Sequence, residues 1–134
     1  MTTLLKSATI IDTSSPHHKQ TKDILIVNGI ITEIANNIHQ EPSYKTIKLD
    51  NLHVSCGWFD TSVSFGEPGY EERETINKGL EVASKSGFTA VAVNANTNPV
   101  IDSKSDVEFL INKATNSATN LFPIGALTKG SKGI

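Results

Sequence analysis

The sequence predicts an α/β chain in two parts: an all-β segment over residues 1–53, then parallel βαβ units over 54–134 that begin a barrel-like sheet. Three observations carry this expectation. Asn28-Gly29 sits between two β-branched runs, two stretches repeat apolar residues at helical spacing, and each of those stretches is followed by an apolar run of strand length.

Leu4 to Asp12 has a β-branched centre in Thr9-Ile10-Ile11, and Ser14-Ser15-Pro16-His17-His18 ends it as a loop. Residues 23–27 and 30–34 flank Asn28-Gly29, a pair that takes positive φ at both central positions of a type I′ turn, so they form a hairpin. Residues 35–45 are polar and contain Pro42, which reads as a loop, and Thr46 to Leu49 as a short strand. From Val54 to Val63 the chain reads as one strand, broken by Glu67-Pro68-Gly69.

Tyr70 to Ser86 then places Ile76, Leu80 and Ala83 on one helical face, opened by the acidic run Glu71-Glu72-Arg73-Glu74 where carboxylates favour a helix N-terminus. Gly87 suits a left-handed helix stop, and Phe88 to Val93 follows as a buried strand. Ser103 and Asp106 have capping-box spacing before Val107, Leu110, Ile111 and Ala114, which mark a second helix. Leu121 to Leu127 reads as a third strand, and the last seven residues as loop. Strand, helix, strand, helix, strand in this order implies right-handed parallel crossovers.

Composition narrows the function. Twelve basic against 14 acidic residues leave a net charge of −2, which favours neither a nucleic-acid groove nor an anionic membrane surface. No apolar run approaches the roughly 20 residues of a membrane span. Cys56 is the one cysteine, which excludes an internal disulfide. The start lacks a secretory signal pattern, so the expected compartment is the cytoplasm. Cys56 falls in an apolar stretch and reads as a buried, inert thiol, and the adjacent His17-His18 as an exposed pair.

In parallel α/β folds chemistry gathers where strands end, which directs attention to residues 60–69 and 94–99. Ser62 and Ser64, two apart, share a face of their strand, and simple alternation puts Asp60 there too. Two histidines at this spacing would converge on one divalent ion, whereas a neutral serine hydroxyl is a weak donor that leaves a metal unheld. A nucleophilic serine needs a general base, and none of the four histidines is spaced to supply one. No catalytic and no metal-binding residue is therefore assigned. The amides of the Asn94-Ala95-Asn96-Thr97-Asn98-Pro99 loop can serve a small ligand or simply build a turn.

Taken together these loops resemble one family. Gly57-Trp58-Phe59-Asp60-Thr61-Ser62-Val63-Ser64-Phe65-Gly66-Glu67-Pro68-Gly69 is similar to the first-strand signature of the dihydroorotases and related cyclic amidohydrolases. That signature runs Gly, two apolar residues, Asp, any residue, His, Val, His, apolar, Arg, Glu, Pro, Gly. Glu74-Thr75, Gly87-Phe88-Thr89 and Asn96-Thr97-Asn98-Pro99 continue the likeness, and the hairpin region resembles the small β-sandwich that precedes the barrel in these enzymes.

The resemblance implies the N-terminal part of an amidohydrolase-type (β/α)8 barrel, about three units that cannot close, and hence a piece of a longer protein. It implies a role in pyrimidine biosynthesis, and Asn96 as a substrate-binding residue. It also implies that Ser62 and Ser64 stand where the family has its metal-binding histidines, and Gly66 where it has the arginine that meets the substrate carboxylate. Asp60, Glu67, Pro68 and Gly69 are retained as loop-shaping residues. Active members use zinc; this chain is expected to take no cofactor and to serve as a scaffold or subunit. The partners implied are aspartate transcarbamoylase, a dihydroorotate-like small molecule and further copies of the chain. The alternatives are an active dihydroorotase or other cyclic amidohydrolase completed by later ligands, and a small-molecule sensor that uses Asn96.

Overall fold

The computed structural model describes residues 1–133 and divides the chain into two compact units, Met1–Cys56 and Gly57–Ile134. The first unit is a five-stranded sheet of β1 (Thr2–Ile11), β2 (Thr21–Val27), β3 (Ile30–Ala35), β4 (Lys45–Lys48) and β5 (His53–Ser55), in the order β3-β2-β1-β4 with β5 also on β1. The predicted hairpin is present: Val27 pairs with Ile30, and Asn28 and Gly29 take φ of 50° and 83°. β4 and β5 both run parallel to β1 and follow one another along it, β4 on Thr3 to Lys6 and β5 on Thr9 to Ile11. Ala8, Ile10 and Ile24 form the core of this unit, with Leu5, Ile26 and Val54 packed against them.

Between Leu5 and Ala8 the pairing of β1 with β2 slips, leaving two residues, Lys6 and Ser7, opposite Asp23. A bulge of this kind removes an N–H from the ladder. Buried Asp23 restores the balance by accepting from Ser7 N at 2.9 Å, and its other oxygen takes Ile38 N at 2.9 Å together with the Lys6 ammonium.

The second unit is a parallel sheet, β6 (Trp58–Val63), β7 (Phe88–Val93) and β8 (Asn120–Pro123), in sequential order. Helices α1 (Ile76–Lys85) and α2 (Lys104–Lys113) supply the two crossovers. The apolar stripes predicted for them close over one face of the sheet, where Ile76, Leu80 and Leu110 meet Val91, Val93, Leu121, Phe65 and Ile101. On the sheet's other face Phe59 and Phe122 meet edge to face at 5.9 Å and stay exposed. Three strands leave the sheet open, as expected of a partial barrel.

Several expectations are corrected. The strand expected over 54–63 is two strands in two sheets, because the chain leaves β1 at Ser55 and starts the second sheet at Trp58. Helix α1 begins at Ile76, capped by the Thr75 hydroxyl, so Glu71 to Arg73 lie in a turn and Glu74 in the link ahead of it. The Glu74 carbonyl explains this, since it is committed to Gly66 N at 2.9 Å. β8 stops at Pro123, where the predicted strand ran on to Leu127, and residues 129–131 make a short 3-10 turn.

Cys56 is exposed and lies outside the strands, its Sγ 3.6 Å from an Asp12 carboxylate oxygen. His18 is half-buried, and its Nδ1 accepts from Asp12 N, which makes it a turn-closing residue.

The capping box of α2 forms as predicted, with the Ser103 hydroxyl accepting from Asp106 N while the Asp106 carboxylate accepts from Ser103 N at 3.0 Å. Ser103→Ala should therefore cost about 1 kcal/mol, read as a lowered midpoint in chemical unfolding. An unchanged midpoint would mean that packing alone sets the start of α2.

Candidate functional site

The site lies where β6 and β7 end. The ladder between them slips twice, between Trp58 and Phe59 and again after Asp60, where Asp60 stands opposite Val91 but Val63 opposite Val93, so three steps on β6 match two on β7. This bulge changes the count of faces. Asp60 shares the helix-covered side with Val63 and Val91, where its carboxylate accepts from Ser62 N at 3.0 Å. The alternation expected of a regular strand would have placed Asp60 beside the serines; the extra residue turns it away.

Ser62 and Ser64 do share a face, and opposite them stand Asn94 and Asn96, two apart at the end of β7. The Asn94 amide donates to Ser62 Oγ at 3.0 Å and reaches Ser64 Oγ at 3.4 Å, while the Asn96 amide donates to Ser64 Oγ at 3.0 Å. Asn94, which bridges both serines, was not singled out from the sequence. Its signal was available in the same two-residue spacing that pairs Ser62 with Ser64.

Beyond the serines the backbone is held closely. Gly66 N donates to Glu74 O, and Tyr70 N donates to Gly66 O at 2.8 Å. Gly69, at φ 94°, lies against the other loop, where a Cβ would fall 1.9 Å from Asn98 O; Asn98 N bonds Pro68 O at 3.0 Å. Both X-Pro bonds of these loops, Glu67-Pro68 and Asn98-Pro99, are cis. Buried Glu67 points away from the strand ends: one oxygen accepts from Ile76 N at 3.0 Å and the other meets the Lys113 ammonium at 2.7 Å. It joins the loop to the start of α1 and the end of α2. Glu71 caps the turn by accepting from Gly69 N at 2.9 Å, and that bond holds its carboxyl below the ordinary glutamate range.

Chemically, the strand ends offer two hydroxyls and two carboxamides, all neutral. Zinc is held by thiolate, imidazole or carboxylate, donors with concentrated charge or strong lone pairs. Here the serine oxygens already accept amide protons, so these residues do not fit a zinc ion. Among the described residues no three His, Cys, Asp or Glu side chains gather where they could hold a metal. No described helix is long and apolar enough to cross a membrane.

Comparison with known proteins follows the same lines. Residues 53–134 match the family model described as dihydro-orotase-like. The chain is 42% identical over 134 residues to a dihydroorotase of Ruminiclostridium cellulolyticum and 39% identical to one of Citrifermentans bemidjiense. These alignments cover 99% of the chain but 31% of each relative, so the chain spans about a third of their length.

Among solved structures it resembles an L-hydantoinase (dihydropyrimidinase) of Arthrobacter aurescens, with a TM-score of 0.76 at 18% identity over 92% of this chain and 27% of that one. A D-hydantoinase superposes with a TM-score of 0.69 at 22% identity, over 97% of this chain and 29% of its own. At such identities the likeness is one of fold: part of an amidohydrolase barrel.

Proposed function

This chain belongs to the dihydroorotase-like family, and from that premise we propose that it comes from a member of pyrimidine biosynthesis that does not hydrolyse its ring substrate through a metal at this site. It serves instead as a scaffold or subunit, with aspartate transcarbamoylase as the partner that the family resemblance suggests. The observation that carries this reading is the amide bridge from Asn94 to both serines, with Asn96 on Ser64.

Metal activation of water requires an ion held firmly enough to lower the water's pKa. At the first strand end of this chain the two positions that should grip it are alcohols occupied by amide donors. Asn96 remains on the mouth of the site and is proposed as the contact for a dihydroorotate-like ring. Further copies of the chain are proposed as partners as well.

Elemental analysis of the full-length protein, run beside a dihydroorotate hydrolysis assay, tests the proposal. Zinc well below one ion per chain and no turnover are expected, whereas near-stoichiometric zinc with turnover would establish the active-enzyme alternative. Ser62→His with Ser64→His should raise bound zinc severalfold if ligands later in the chain persist. Co-purification with aspartate transcarbamoylase is the expected result for the partner, and separate elution of the two proteins on gel filtration would remove it.

A further inference from the structure

The Asn28-Gly29 turn of the first sheet sets an electrophile beside a nucleophile. A bond between the side-chain carbon Cγ of Asn28 and the backbone nitrogen of Gly29 closes a five-membered imide. Both residues are exposed, and no heavy atom beyond the chain neighbours lies within 4 Å of where a Gly29 Cβ would stand. Ring closure requires the peptide between the two residues to turn. Neither Asn28 O nor Gly29 N of that peptide has a hydrogen-bond partner among the described residues, so the rotation breaks no bond.

The rest of Asn28 is held. Its backbone N donates to Met1 O at 2.9 Å, and its Oδ1 accepts from the Met1 ammonium at 2.8 Å. A cation on the carbonyl oxygen draws electrons from Cγ and stabilises the negative charge that attack would place on Oδ1. No other asparagine combines these features. Each of the others precedes a residue that carries a side chain, and Pro99 after Asn98 has no N–H. The amides of Asn94 and Asn96 are donated to Ser62 and Ser64, and the oxygens of Asn36 and Asn37 accept from Lys22 and Lys6.

We infer that Asn28 is a site of spontaneous covalent modification in the folded protein, where Gly29 N attacks its side chain and converts it to aspartate and isoaspartate. In the first step Gly29 N bonds to Asn28 Cγ and gives up its proton, the Cγ–Nδ2 bond breaks, and ammonia leaves with that proton. Water then opens the imide. Cleaving the bond from Gly29 N to Cγ leaves aspartate, and cleaving the bond from Gly29 N to the main-chain carbonyl carbon leaves isoaspartate. Water is the only other reactant. Aspartate places a full negative charge against the Met1 ammonium. Isoaspartate adds a methylene to the main chain between Val27 and Ile30, which a two-residue turn accommodates only by shifting that pair, and with it the bond from Asn28 N to Met1 O beside the start of β1.

The test incubates the full-length protein at mildly alkaline pH, well below its unfolding temperature, and follows it by ion exchange and by tandem mass spectrometry of the peptide spanning Asn28. Enzymatic methylation of isoaspartate gives a second readout. An acidic species should accumulate, converted at Asn28 ahead of every other asparagine. Gly29→Ala should slow the conversion about tenfold or more, because a Cβ next to the attacking nitrogen hinders its approach while meeting no other part of the fold. Asn28 that stays fully intact in the folded protein over the time in which the denatured chain converts overturns the inference, as does Gly29→Ala converting at the wild-type rate. Where Gly29→Ala does not fold, the unmodified protein decides through Asn116, which is exposed and precedes Ser117. Conversion at Asn116 as fast as at Asn28 also overturns the inference.

Discussion

Glu67→Ala should destabilise the protein by about 2–4 kcal/mol, among the largest effects of any single substitution near the site. The carboxylate is buried and serves two partners from different elements, Ile76 N at the start of α1 and the Lys113 ammonium at the end of α2. Alanine leaves the Ile76 N–H without an acceptor inside the apolar cluster, where Ile76 is fully buried, and a helix whose first donor is orphaned loses part of its start. Lys113 is 39% exposed on its side chain, so water recovers much of its share, which keeps the expected cost below the upper range for a buried pair.

Glu67→Gln should cost about half as much, because one carbonyl oxygen can still accept from Ile76 N while the charge opposite Lys113 is gone. Chemical unfolding at neutral pH measures both. A loss under about 1 kcal/mol for alanine would show that apolar packing alone holds the loop.

How much of this could be read from residues alone depends on what each feature requires. The hairpin at Asn28-Gly29, the two helix stripes and the capping box at Ser103 all depend on neighbours within a few positions, and these were legible. The serine pair was legible because it needs only a regular alternation. The placement of Asp60 was not, because a bulge between Asp60 and Val63 is specified by how β6 meets β7, a partner some 30 residues away.

For the same reason Val54 to Val63 read as a single strand: its apolar content is continuous, and only the pairing of His53–Ser55 with β1 and of Trp58–Val63 with β7 divides it. The late start of α1 follows from Glu74 O bonding Gly66 N, a contact that helix propensity cannot anticipate. Of the site, Ser62, Ser64 and Gly66 at the positions where the resemblance implies histidines and an arginine could be read at once, whereas the Asn94 bridge and the tightness around Gly66 needed coordinates. A residue's type announces what it could ligate, but only its neighbours show that its lone pairs are already taken.

The same distinction governs the other large prediction, which lies in the first unit. Asp23 looks in the sequence like a polar residue opening a strand, yet it is 2% exposed and receives Ser7 N, Ile38 N and the Lys6 ammonium. Burial pushes its carboxyl upward, but Lys6 and then the two backbone donors outweigh that and hold it below its ordinary value of 3.8.

A carboxylate whose pKa is lower folded than unfolded stabilises the protein above its unfolded pKa and ceases to do so as pH falls through the folded value. The Asp23 contribution is thus complete at neutral pH and fades below about pH 4. Asp23→Asn should cost about 2–4 kcal/mol at pH 7, because an amide has one oxygen for three donors and turns N–H groups toward another N–H or an ammonium.

That deficit should shrink as the pH is lowered from 7 toward 3, since the wild type then loses what the variant already lacks. Unfolding measured across this range distinguishes the cause. A deficit that stays constant down to pH 3 would mean that the shape of the bulge, and not the charge on Asp23, is what the first sheet requires.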